Sequence, residues 1–329
     1  METVRILLLG AGGMGRYHLK QLQKLPEVEI AGLVDPAEAS IAATFKQFPD
    51  LAGTATFTDY RQALEAVTAD AALIVTPHSE HFEQGMACIE AGLHVLMEKP
   101  FVSGSQNAER LIEAARLKGR HLAVSYQRHV EGPFVYLRDL VQSGALGTVR
   151  FVAAYQAQAW LQGTRGTWRQ DPVISHGGQL NDSGSHLLDV VLWLTGLEAA
   201  EVSATIENRG APVDVDSVVS IRFKGGAIAS FNIIGSASLN WHEDVSVHGD
   251  KGSALYRNGT LAVAREGEKT ATPVPADALP ESSTPDKNFV DLLLGRVAEP
   301  AAPASCGLLI TRVTEAAMQS AETGRWISL

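Results

Sequence analysis

Cysteine is nearly absent: Cys88 and Cys306 are the only two in 329 residues, and neither stands in a metal-ligand spacing. A disulfide framework and a Cys-ligated metal centre are thereby excluded; both thiols are expected reduced and packed, and no metal is expected. Long apolar runs are missing too. No stretch approaches the ~20 residues that cross a bilayer, and Glu2 and Arg5 interrupt the start where a signal peptide needs another pattern. The expectation is a cytoplasmic chain with no membrane partner. Cationic residues are in the minority, 27 Lys and Arg against 37 Asp and Glu for a formal net charge of -10. No Lys/Arg cluster offers a face to a phosphate backbone, so nucleic acid is excluded as a partner. Apolar content, by contrast, is ample at 45%, over a length too great for one typical core, and two domains are the natural division.

Over residues 1–125 short β-rich runs alternate with amphipathic stretches. Strands are expected at Val4 to Leu9, Val28 to Val34, Ala71 to Thr76, Leu93 to Met97 and His121 to Ser125, with helices at Met14 to Lys24, Ala37 to Phe48, Glu80 to Ala91 and Ser105 to Lys118. Such alternation requires right-handed crossovers and a doubly wound parallel sheet of the Rossmann type. Over residues 126–329 the pattern changes to strands with little between them: Val149 to Gln158, Ala200 to Glu207, Ser217 to Phe223, Ala227 to Ile234 and Asp244 to His248. That reads as a C-terminal α/β domain with an open, mostly antiparallel sheet. Glu266 to Pro285 reads as a surface loop, and helices at Asp286 to Leu294 and Ala304 to Thr323 close the chain.

Gly10-Ala11-Gly12-Gly13-Met14-Gly15 is a GxGxxG between the first strand and the first helix. Its first glycine permits a tight turn, its second lets backbone approach a pyrophosphate, and its third lets helix and strand pack closely. The helix N-terminus then offers unpaired N–H donors to the phosphates. Asp35 ends the second strand 20 residues after Gly15, where its carboxylate can accept from the adenosine ribose hydroxyls. A 2′-phosphate there meets charge repulsion, so NAD is expected as cofactor rather than NADP. Two further loops fall at strand carboxyl ends, where such a sheet binds its ligand: Thr76-Pro77-His78-Ser79-Glu80-His81 and Glu98-Lys99-Pro100. Lys99 can donate to a substrate hydroxyl and carry protons, while His78 and His81 line the cleft or cap the helix that begins there.

Downstream, Gly177 to His186 sets Asp182 and His186 four residues apart before the apolar run Leu187 to Leu194. If Asp182 opens that helix, both side chains share one face. Asp189, three residues further, either orients the His186 imidazole or is a plain surface acid.

Together, Gly10 to Gly15, Asp35, Thr76-Pro77, Glu98-Lys99-Pro100, Gln127-Arg128-His129, Trp168-Arg169 and Gly177 through Asp189 resemble, in order along nearly the whole chain, the glucose-fructose oxidoreductase / inositol dehydrogenase (Gfo/Idh/MocA) family. The resemblance implies NAD(P)-dependent oxidation of a secondary alcohol on a sugar, cyclitol or related polyol, with Lys99, Asp182 and His186 catalytic. It adds His81, Glu98, Gln127, Trp168 and Arg169 to the cofactor contacts, and Arg128, Gln156 and Trp160 to the substrate contacts. It also implies a homodimer or homotetramer through the C-terminal sheet. On chemical grounds His186 suits the base that takes the hydroxyl proton, and Lys99 suits the cation that stabilises developing alkoxide. Two other readings stay open: an NAD-dependent glycoside hydrolase acting by transient oxidation, and a non-catalytic nucleotide-binding regulator.

Overall fold

The computed structural model describes residues 2–329. The chain divides into two compact units, Met1–Gln127 with Ser283–Leu308, and Arg128–Ser282 with Leu309–Leu329.

The first unit is wound as β1 (Val4–Leu9), α1 (Gly13–Leu22), β2 (Val28–Val34), α2 (Glu38–Gln47), β3 (Thr56–Phe57), α3 (Tyr60–Ala66), β4 (Ala71–Ile74), α4 (His81–Glu90), β5 (His94–Met97), α5 (Ser105–Lys118) and β6 (Leu122–Val124). Its six strands run in the order β3-β2-β1-β4-β5-β6, every pair parallel. Strand β4 is buried at all four residues, as a strand covered by helices on both faces must be. Helix α5 stops where Gly119 takes a left-handed conformation, φ 62°, that a side chain resists. Element β3–α3 was not expected from the sequence: two residues of strand carry no readable alternation.

The second unit contains α6 (Gly132–Gln142), β7 (Val149–Ala157), α7 (Trp160–Gly163), α8 (Pro172–Ser175), α9 (Gly184–Thr195), β8 (Ala199–Glu207), β9 (Asp216–Phe223), β10 (Ile228–Ile234), β11 (His242–Gly249), β12 (Gly252–Arg257), β13 (Thr260–Arg265), β14 (Thr272–Pro273) and β15 (Ile327–Ser328). Nine strands order as β14-β13-β12-β11-β7-β10-β9-β8-β15; only β7 and β10 pair in parallel, so the sheet is mixed and mostly antiparallel. Helix α9 packs against α6 and β7. Along β9 buried and solvent-facing residues alternate, the mark of a sheet covered on one face. The hairpin β12–β13 was also missed, although Asn258 (φ 42°) and Gly259 (φ 103°) supply the two positive-φ residues that a tight hairpin needs.

One boundary needs correction. The sequence placed 126–329 in a single C-terminal domain, but the segment 283–308 belongs with the first unit. Helix α10 (Pro285–Leu293) buries Phe289, Val290 and Leu292 in the same core as Val4, Ile6 and Leu19. Thr284 caps that helix, accepting from Lys287 N at 3.1 Å, and Pro285 follows at its first turn. The last helix, α11, spans Ala304–Thr323.

Candidate active site

In the first unit the glycine loop has the form that a dinucleotide needs. Gly10 holds φ 100°, and a Cβ there would lie 2.8 Å from the Val75 carbonyl oxygen. At Gly15 a Cβ would stand 2.0 Å from the Gly10 carbonyl oxygen, so only glycine lets α1 begin so close to β1. Gly12 and Gly13 differ: nothing lies within 4 Å of either Cβ position. No side chain caps the start of α1, and a helix start without such a cap offers its first N–H groups to an anion. Asp35, half-buried at the end of β2, accepts from Ala11 N at 2.9 Å and Ala37 N at 2.8 Å. Each carboxylate oxygen keeps a second lone pair for a ribose hydroxyl. The Ala11 carbonyl is held in turn by Arg16 Nη1 (2.8 Å) and Thr44 Oγ1 (3.0 Å), two contacts the sequence did not suggest.

The Lys99 turn lies at the end of β5, with a cis Lys99–Pro100 bond. His81 is buried: Nε2 is 3.0 Å from Thr76 O, and Nδ1 is 2.9 Å from both Pro100 O and Phe101 O. Burial lowers the pKa of His81 against those carbonyls, which act to raise it. It therefore ties the Thr76 loop to the Lys99 turn rather than facing a ligand. Thr76 Oγ1 donates to Gln84 Oε1 at 2.7 Å. The Glu98 carboxylate is also turned inward, 7% exposed and 3.1 Å from His18 Nε2, whereas Lys99 itself is half-buried. Gln127 ends the first segment of this unit.

In the second unit the helix after Asp182 starts later than expected. Gly184 is its first residue and Ser183 its N-cap, so Asp182 lies in the preceding turn, and the i, i+4 argument linking it to His186 does not hold. Asp182 is buried; its Oδ2 accepts from Trp160 Nε1 at 2.9 Å and Arg169 Nε at 3.1 Å, and Arg169 stacks on Trp168 at 4.5 Å. Asp182, Trp160, Trp168 and Arg169 are thus brought together. Ser185 Oγ donates to the Asp182 carbonyl at 2.7 Å, which fixes the approach to His186 in the first turn of α9.

Asp189 does not orient His186. Its carboxylate lies 2.8 Å from His129 Nε2, and the His129 ring stacks on Trp193 at 4.1 Å. Burial raises the Asp189 pKa, with His129 opposing. Arg128 is likewise committed elsewhere, to Glu243 at 2.9 Å and Glu131 at 2.8 Å. Gln156 is fully buried and donates to Ser183 O at 3.2 Å, so it sets the N-cap of α9.

One residue the sequence reading missed shapes the whole loop. Asp214 accepts from Gly178 N at 2.6 Å and Leu180 N at 2.7 Å, and its own carbonyl accepts from Gln179 N at 3.0 Å. A Cβ at Gly178 would sit 1.9 Å from that carbonyl, so glycine is required for the close approach. Burial raises the Asp214 pKa against the Leu180 and Gly178 N–H groups, and the nearby Asp182 charge adds to the rise. A separation of 34 positions between Leu180 and Asp214 leaves no local spacing from which to predict the pair.

Comparison with known proteins agrees with these assignments of fold. Residues 4–126 match the oxidoreductase family's NAD-binding Rossmann fold, and residues 134–255 match the GFO/IDH/MocA C-terminal domain. The chain is 29% identical over 223 residues to the scyllo-inositol 2-dehydrogenase (NADP(+)) of Bacillus subtilis, covering 66% of this chain and 58% of that enzyme. To the levoglucosan dehydrogenase of Pseudarthrobacter phenanthrenivorans it is 26% identical, covering 87% of this chain and 84% of the relative. An oxidoreductase domain protein from Kribbella flavida superimposes with a TM-score of 0.89 at 26% identity, covering 100% of this chain and 99% of that one. Among the described residues no helix is long and apolar enough to cross a membrane.

Proposed function

The chain belongs to the Gfo/Idh/MocA oxidoreductase family, and on that premise we propose that it transfers hydride between a secondary alcohol of a sugar, cyclitol or related polyol and nicotinamide. The observation that carries the reading is the open space before Gly12 and Gly13 at an uncapped helix start, with Asp35 anchored beside it. The named activities of the relatives, on an inositol and on levoglucosan, support the substrate class.

Bound nicotinamide supplies the hydride acceptor at C4. The protein's own residues do the rest. The first N–H groups of α1 hold the pyrophosphate, and Asp35 holds the adenosine ribose. Lys99 donates to the reacting hydroxyl and stabilises its alkoxide as the proton leaves. His186 takes that proton, and in the reverse reaction returns it. Asp182, which accepts from Trp160 and Arg169, orients a neighbouring substrate hydroxyl. Incubation with NAD and a panel of inositols, aldoses, sugar acids and anhydrosugars, followed by absorbance of the reduced nicotinamide, tests the reading; silence across the panel with NAD bound defeats it.

NAD is preferred over NADP because the Asp35 carboxylate repels a 2′-phosphate. Asp35→Ala with Pro36→Arg shifts the ratio of the two affinities toward NADP by about tenfold, roughly 1.4 kcal/mol; an unchanged ratio removes Asp35 from the ribose site. A second copy of the chain covers the open face of the nine-stranded sheet, where Val218 and Ile228 are 48% and 46% exposed. Light scattering then gives a dimer or tetramer for the wild type and a smaller species for Val218→Glu.

A further inference from the structure

Helix α1 carries a buried side chain that the ligand-facing groups do not use. Each ring nitrogen of His18 meets a carboxylate: Nδ1 is 2.7 Å from Asp286 Oδ1, and Nε2 is 3.1 Å from Glu98 Oε1. Ionised carboxylates only accept, so the ring must donate from both nitrogens, which the imidazolium alone can do. Burial by itself pulls the His18 pKa down, but the charge and hydrogen bond of Asp286, with Glu98 behind them, raise it to about 10. Burial likewise works to raise Glu98, yet His18 by hydrogen bond and charge, the Lys99 charge and a bond from Ser125 lower it to about 2.

One cation therefore joins three segments: the helix that opens at the glycine loop, the residue immediately before Lys99, and helix α10. On the other side of the same turn, His81 holds the Pro100 and Phe101 carbonyls. The backbone at Lys99 is fixed from both directions, by His18 acting on the preceding side chain and by His81 acting on the following carbonyls. Removing the His18 charge leaves Glu98 and Asp286 buried without their cation, a state that must admit water or a proton and so loosens the turn.

We propose that His18 is a positioning residue for the hydride-transfer step: it links the placement of α1 to that of Lys99 through Glu98, so that a dinucleotide seated at the start of α1 meets a Lys99 side chain already set. The proposal rests on the reading of Lys99 given above. A brace that serves stability alone would lower the melting temperature of a variant without moving Lys99, and the two roles separate by observing Lys99 itself.

The test uses the full chain with its lysines reductively methylated with carbon-13, and records the dimethylamine signals by NMR with and without NAD. The Lys99 signal is the one lost in Lys99→Arg. In the wild type, NAD displaces it. In His18→Gln the ligand-free signal moves and the NAD-induced displacement is lost, while the exposed Lys24, Lys118 and Lys224 signals stay in place and a fluorescence titration still shows NAD binding. A Lys99 signal in His18→Gln that superimposes on the wild type, with and without NAD, overturns the proposal. If NAD leaves the wild-type Lys99 signal unmoved, the reading of Lys99 fails first and takes the proposal with it. Should His18→Gln not fold, Asp286→Asn withdraws only the far anchor; a smaller displacement in the same direction supports the proposal, and an unmoved signal overturns it.

Discussion

The turn that carries Lys99 and the loop that carries Asp182 are both held by a buried carboxylate, in opposite electrostatic settings. Glu98 touches a cation, His18, and its pKa is lowered to about 2. Asp214 touches only backbone N–H groups, with Asp182 as a like charge nearby, and its pKa is raised. Burial is common to both, so the difference lies in whether a full charge or a pair of dipoles meets the carboxylate. A cation fixes the carboxylate by charge, and with it the turn that sets Lys99. Dipoles suit a loop whose backbone must take one path, because each N–H specifies a position as well as an energy.

The largest expected effect separates the two regions by what they bind. Lys99→Ala and His186→Ala each lower turnover by roughly 10²–10⁴-fold. Only Lys99→Ala also disturbs NAD affinity, since Lys99 shares its unit with the glycine loop. Equal loss of NAD binding in both variants, by fluorescence titration, would erase the division of labour.

Asp214→Asn comes next. It places an amide where Gly178 and Leu180 need an anionic acceptor, and costs about 1–3 kcal/mol in urea unfolding at neutral pH. Because the pKa of Asp214 is raised, acid protonates it in the folded state before Glu98. Wild-type stability therefore rises relative to Asp214→Asn as pH falls, so the cost of that substitution grows, while the cost of Glu98→Gln fades as pH falls from 4.5 through 2. A cost for Asp214→Asn that is constant with pH would show that folding does not shift the Asp214 pKa.

The smallest effect is a pH slope. His18, raised from 6.5 to about 10, contributes stability that is full below pH 6.5 and fades as pH climbs through 10. Glu98, lowered from 4.5 to about 2, contributes stability that is full above pH 4.5 and fades as pH falls through 2. His94 works the other way: burial, His121 and Arg120 lower it from 6.5 to about 4, so stability falls as pH drops below 6.5. Cys88, raised by burial from 9.0 to about 12, adds its own loss only above pH 9. Between pH 6.5 and 9 the wild-type melting temperature therefore declines, and His18→Gln flattens that decline. An identical slope in the variant would mean that His18 carries no buried charge.

What the sequence made legible divides along the same line. The strand, glycine loop and helix at Val4 to Leu22 were readable because their parts are neighbours and each glycine answers a local steric demand. The position of Asp35 at the end of β2 was readable for the same reason. The start of α9 was misjudged by two residues, since Asp182 has the composition of a cap but its carboxylate is taken by Trp160 and Arg169. Helical spacing left Asp189 either orienting His186 or lying on the surface, and the tertiary partner His129 overrode both. The braces themselves were invisible: His18 meets Glu98 across 80 positions and Asp286 across 268. The return of α10 to the first unit follows the same rule, because Phe289 and Val290 signal an apolar face but not which core receives it.

Deuterium transfer tests the central claim most directly. Polyols of the panel, labelled with deuterium at their carbinol carbons, are incubated with the enzyme and NAD, and the nicotinamide is analysed by mass spectrometry. The account predicts deuterium at nicotinamide C4 with at least one polyol, absent in Lys99→Ala and His186→Ala. A cofactor that binds and stays unlabelled across the panel would contradict it.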